Sequence, residues 1–128
     1  LHPTHPQVLM QLRAHWTHGG QTWGFPGGAR DSTEAPAQAA LRELHEEFGV
    51  RAAQVDVIHE QVWTDHGDWR YHTVIAAALD DLTPVLNEES AEARWVHIDD
   101  VADLDLHPAL AMVWVHVLAT IKVLRPDR

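Results

Sequence analysis

Residues 28–50, GARDSTEAPAQAALRELHEEFGV, decide the reading of this chain. A glycine turn leads through a short loop into an acid-rich helix. Pro36 suits the first helical turn, where its missing N–H has no intrahelical partner to lose. Glu34 stands just ahead, where a carboxylate favours the helix dipole and can cap free N–H groups. Ala, Leu, Glu and Gln dominate 37–48, and all are good helix formers. Gly49 predicts a left-handed cap. Leu41, Leu44 and Phe48 then share an apolar face, and Glu43, Glu46 and Glu47 share another.

The acidic face needs an explanation. Glu43 and Glu47 are like charges one turn apart, which costs a helix roughly 0.2–0.5 kcal/mol. Glu46 adds to the repulsion. A hard cation with carboxylate, water and phosphate ligands, Mg²⁺ or Mn²⁺, would turn it into attraction. A simply solvated acidic face is the other reading of the same residues.

The wider pattern is G-x5-E-x7-R-E-U-x-E-E-x-G-U, with U a bulky aliphatic residue. Gly28, Glu34, Arg42, Glu43, Leu44, Glu46, Glu47, Gly49 and Val50 fill every defined position. This is the Nudix box, and the chain resembles the Nudix hydrolase family. Trp23-Gly24-Phe25-Pro26-Gly27-Gly28 is similar to the family's W-x-x-P-G-G approach to the box. The resemblance implies one Nudix domain over 1–128, with the box at 28–50. It implies the Nudix fold, an α/β architecture with a mixed sheet in an α/β/α sandwich.

The activity implied is metal-dependent hydrolysis of a phosphate anhydride in a nucleoside diphosphate linked to another group. By resemblance, Glu43, Glu46 and Glu47 are metal ligands, with Glu47 the most central, and the Gly27 carbonyl adds a metal bond. Arg42 is an orienting partner for Glu34 or a neighbouring Glu. Glu89, six residues before Trp95, matches the family's further acid, a general base or extra ligand; Glu88 and Glu92 are its rivals, and a solvated loop acid is the alternative. Arg13, Trp23 and Trp63 are candidate substrate contacts, the Trp rings able to stack on a base or simply to pack.

The substrate branch is less legible. The ADP-ribose branch often carries a Pro where this chain has Asp65, His66 and Gly67, which disfavours it. Tyr71 comes late for the dinucleoside-polyphosphate branch, and no coenzyme A signature is visible. The MutT-type, nucleotide-sanitising branch remains. A non-catalytic nucleotide sensor on the same fold is the competing class.

Composition sets outer bounds. The formal charge of −10 argues against a nucleic-acid polymer or an anionic membrane as partner. No cysteine is present, which excludes disulfides and thiolate zinc sites. No apolar run reaches membrane-spanning length, and cytoplasm is the expected compartment. The eleven histidines are scattered without metal-site helical spacing. The expected partner is a nucleotide-like small molecule, and the resemblance allows a homodimer.

Strands are expected at 8–13, 55–63, 69–79 and 92–98, with turn chemistry at 64–68. The nearly unbroken apolar run 74–79 predicts a central strand. A short helical turn is expected through Leu104 and a final helix from Pro108 to about Leu124, its stripe formed by Leu110, Val113, Val117, Leu118, Ile121 and Leu124. The strand that normally opens the Nudix fold has no room before Val8, so the expectation is that it is missing here.

Overall fold

The computed structural model describes residues 1–14, 20–26, 34–65, 69–88 and 90–125, with backbone alone at 63–65 and 69–71. Gly27, Gly28, Glu89, His66 and the side chain of Trp63 lie outside the described residues. In chain order the elements are β1 (Gln7–Arg13), β2 (Trp23–Gly24), α1 (Pro36–Phe48), a 3-10 turn (Ala52–Gln54), β3 (Val55–Asp65), β4 (Trp69–Ala78), β5 (Ser90–His97), a second 3-10 turn (Val101–Asp103) and α2 (Pro108–Leu124).

Alternation along β1 sets the layers. Val8 and Met10 join Val96, Ile98 and Val101 in a core closed by Leu110, Val113, Trp114, Val117 and Ile121 of α2. Leu9 points the other way. It packs with Leu44, Phe48, Val55, Ala78, Ala93 and Trp95 in a second core on the α1 side. A strand with apolar residues on both faces must be covered twice, and α1 and α2 supply the two covers. This is the expected α/β/α sandwich.

β1 pairs antiparallel with β2 and β5, and β3 with β4 in a hairpin. A parallel bridge joins Trp23 to Leu106. The 74–79 run does not make β4 central. Among the described residues β4 has one full neighbour, β3, and its other edge meets only Leu1, which bonds Ala76 O at 2.7 Å and accepts from Ala78 N at 2.9 Å. The run is apolar because Ile75 enters one core and Ala78 the other. β3 also runs farther into the expected turn, to Asp65.

α1 begins and ends close to its sequence signals, with one change at the start. Ala35, not Glu34, is the N-cap residue, and its N–H donates to Oε1 of Gln38 at 2.9 Å. The Glu34 carboxylate is drawn instead to Arg42. Gly49 adopts the left-handed conformation, φ 69°, and donates to His45 O. A Cβ there would lie 3.2 Å from Cβ of Val85. Gly49→Ala therefore carries both backbone strain and crowding. It is expected to cost about 1–2 kcal/mol and to lower Tm by roughly 3–8 °C; an unchanged melting curve would contradict the cap.

The 82–88 loop docks on that same helix end. Val85 N–H donates to Phe48 O at 2.7 Å, and Nδ2 of Asn87 donates to Glu46 O at 2.9 Å. Leu82 is buried in the α1-side core. The loop thus satisfies carbonyls that the helix terminus leaves open.

Candidate functional site

Glu34, just ahead of α1, and Arg42, Glu43 and Glu46 of α1 form one charged network. Arg42 donates from Nε and one terminal nitrogen to both oxygens of Glu34, at 2.9 and 3.0 Å. Its other terminal nitrogen reaches Oε1 of Glu43 at 3.0 Å and Oε2 of Glu46 at 3.3 Å. A planar guanidinium fits this double duty, because its donors form a fixed fork. Its pKa is driven further above its already high value, first by the hydrogen bonds with Glu34 and then by Coulombic attraction from Glu34, Glu43 and Glu46. Arg42 is cationic at any working pH.

The three box carboxylates differ sharply in exposure. Glu46 is half exposed, the Glu43 side chain retains 12% of its accessible surface, and Glu47 retains 1%. The gradient follows from helical spacing. Glu47 flanks Leu44 and Phe48, which face the sheet, and Glu43 lies one turn back along that border. Glu46 is rotated toward solvent.

Burying a carboxylate is expensive without compensating charge or hydrogen bonds. A cation bound at Glu47 would supply compensation of that kind. The oxygen-only donor set suits Mg²⁺ or Mn²⁺, which keep several waters and share substrate oxygens rather than needing an all-protein cage. Among the described residues no three His, Asp or Glu side chains converge into such a cage. Arg42 holds Glu43 and Glu46 on one flank while Glu47 turns inward. The residues fit a cation that is completed by further ligands.

Of the other sequence candidates, Arg13 and Trp23 lie on strands of the sheet rather than on α1. Arg13 ends β1 opposite Ser90, the first residue of β5. Trp23 is buried at 8% exposure in the α2-side core, and the Arg94 guanidinium lies 4.9 Å from its ring centroid. No base can stack on that covered face. Gly27, Trp63 and Glu89 fall outside the described side chains. Glu92 pairs with Arg94 at 2.9 Å, and Glu88 is exposed. His59 and His72 point to opposite faces of the hairpin, because their cross-strand partners are Ile75 and Val62.

Two polar features escaped the sequence reading. Asn87 caps α1 from a loop 41 residues away. Gln11 is fully buried in β1, and its Nε2 donates to Oγ of Ser90. The only local signal for Gln11 was a polar residue inside VLMQLR.

An acidic helix with an Arg-centred network, laid on a sheet that a second helix covers, defines a Nudix-type α/β domain. The chain belongs to the Nudix family: the family model described as NUDIX domain matches residues 1–114. It is 47% identical over 130 residues to a Mycobacterium tuberculosis protein provisionally named 8-oxo-dGTP diphosphatase 3, covering 95% of this chain and 60% of that one. The chain thus spans about three fifths of that relative's length. It is 33% identical to the 8-oxo-dGTP diphosphatase of Proteus vulgaris, covering 73% of this chain and 82% of that one. The crystal structure of RenU, a Nudix hydrolase from M. smegmatis, superposes with a TM-score of 0.83 at 46% identity, covering 91% of this chain and 76% of that one. Among the described residues no helix is long and apolar enough to cross a membrane.

Proposed function

We propose that this domain hydrolyses a phosphate anhydride in a nucleoside triphosphate, with Mg²⁺ or Mn²⁺ and with oxidised purine deoxynucleotides as the favoured class. The observation that carries the reading is Glu47, a carboxylate withdrawn from solvent beside an Arg-organised acidic network. The substrate class is supported by the names of the M. tuberculosis and P. vulgaris relatives.

In this reading Glu43, Glu46 and Glu47 would hold the cation, with the Gly27 carbonyl as a further ligand and Glu89 as an extra ligand or the base. When bound, such a cation would supply charge neutralisation for the anhydride oxygens and a more acidic water. Arg42 acts through its neighbours: it fixes Glu34 against the helix and restrains Glu43 and Glu46, so the carboxylates are placed before substrate arrives. Glu89 accepts the proton as water attacks phosphorus and the bond to the bridging oxygen breaks. Arg13, the last residue of β1, contributes positive charge toward the phosphates. Trp63 offers an aromatic surface for the base.

A panel of nucleotides in Mg²⁺ tests the substrate class. Pyrophosphate and phosphate release would be measured for dNTPs, oxidised dGTP, ADP-ribose, nucleotide sugars and diadenosine polyphosphates. Oxidised dGTP is expected to give the highest kcat/KM. Faster turnover of ADP-ribose or a dinucleoside polyphosphate would overturn the class. Tight binding of one ligand with no turnover would make the domain a sensor.

A further inference from the structure

We infer that Gln11, held by Ser90, is a positioning residue for the carboxylate of Glu47. The inference rests on the metal-site reading above and extends it to a residue outside the box.

Three observations bear on it. Among the described residues, the polar or charged side chains that are buried are Gln11, Ser90 and Glu47. Gln11 is on the same face of β1 as Leu9, which packs in the core of Leu44 and Phe48. Those two α1 residues flank Glu47, so Gln11 and Glu47 enter the same layer between sheet and helix. The Gln11 amide is also only half used: Nε2 donates to Ser90, whereas Oε1 is buried with no hydrogen-bond partner.

A buried amide end without a partner is costly, and an amide can be turned by 180° with little change in shape. In the turned orientation the Ser90 hydroxyl donates to Oε1. The Nε2 hydrogens then face the layer that holds Glu47. An N–H pair is what a buried carboxylate requires, and the carboxylate is acceptor-only when ionised. The hydrogen bond, direct or through one ordered water, would fix the rotamer of Glu47 and leave its other oxygen for the cation.

The strand pairing supports a specialised role. The β1–β5 register slips between Leu12 and Arg13, opposite Glu92 and Ser90. Such irregularities redirect side chains and are frequent next to active sites. Here the slip falls beside Ser90, whose hydroxyl turns back to Gln11. β1 and β5 are thereby joined by a buried side-chain hydrogen bond.

The test is Mn²⁺ affinity, measured by calorimetry without nucleotide, on the wild type and on Gln11→Leu, Ser90→Ala, Ser90→Thr and Glu47→Gln. Circular dichroism and Tm would show that each variant is folded. Gln11→Leu and Ser90→Ala are expected to weaken Mn²⁺ binding about 10–100-fold. Ser90→Thr, which keeps the hydroxyl, is expected to restore it. If Gln11→Leu fails to fold, the two Ser90 variants carry the test. Wild-type affinity in both Gln11→Leu and Ser90→Ala would overturn the positioning role. Absence of Mn²⁺ binding by the wild-type protein would overturn the metal-site reading, and this inference with it.

Discussion

Glu47→Gln is expected to lower kcat for nucleotide hydrolysis by at least about 10²-fold without unfolding the domain. Gln keeps the shape and volume of Glu and removes only the charge. At 1% exposure, the Glu47 carboxylate is held where ionisation is least favourable unless a cation or hydrogen bonds compensate. The substitution therefore removes the main negative group available to a cation while keeping the side chain's packing. Tm is expected to stay level or rise, as commonly seen when a strained functional group is neutralised. Initial rates and melting curves on the same preparation check both halves. Unchanged kcat would remove Glu47 from the mechanism, and a collapse in Tm would make its role structural.

Arg42→Lys is expected to reduce kcat about 10–100-fold, the scale found when a partner that orients metal ligands is lost. Lysine keeps the charge, so the loss would arise from geometry. A single ammonium cannot hold both oxygens of Glu34 and also reach Glu43 and Glu46, whereas the guanidinium does all three. Arg42 and Glu46 are open to solvent, so their ion pair is screened and Tm should change little. A variant with wild-type kcat would show that the network is ornamental to catalysis.

These two expectations rest on residues that were legible before the fold. Pro36, the Ala- and Leu-rich body and Gly49 gave α1 its limits, because each acts through local backbone chemistry. The stripe of α2 was equally plain, although Trp114 joined the buried set as well. What failed to show was set by contacts distant in sequence. β2 is two residues long and exists because Trp23 pairs with Leu12, donates to Asp105 O and accepts from His107 N. Its own dipeptide contains no such information. The β4 run announced burial on two faces, and burial on two faces does not count neighbouring strands.

The site divided along the same line. The identities Arg42, Glu43, Glu46 and Glu47 were visible as a motif, and their helical spacing put them together. Their unequal burial depends on how α1 rolls against Leu9, Ala93 and Trp95. Glu34 looked like a cap, yet the guanidinium eight residues on offers two charge-assisted hydrogen bonds where the free helix N–H groups offer neutral ones. Gln11 and Ser90 are separated by 79 positions, and only strand pairing brings them into contact.

The most direct measurement of the central claim is a Mg²⁺ titration of EDTA-treated wild-type and Glu47→Gln protein, followed by pyrophosphate release from oxidised dGTP. Release is expected to be absent in EDTA, to recover saturably with Mg²⁺ in the wild type, and to reach at least about 10²-fold less at saturation in the variant. Equal recovery in the two proteins, or release that persists in EDTA, would contradict that claim.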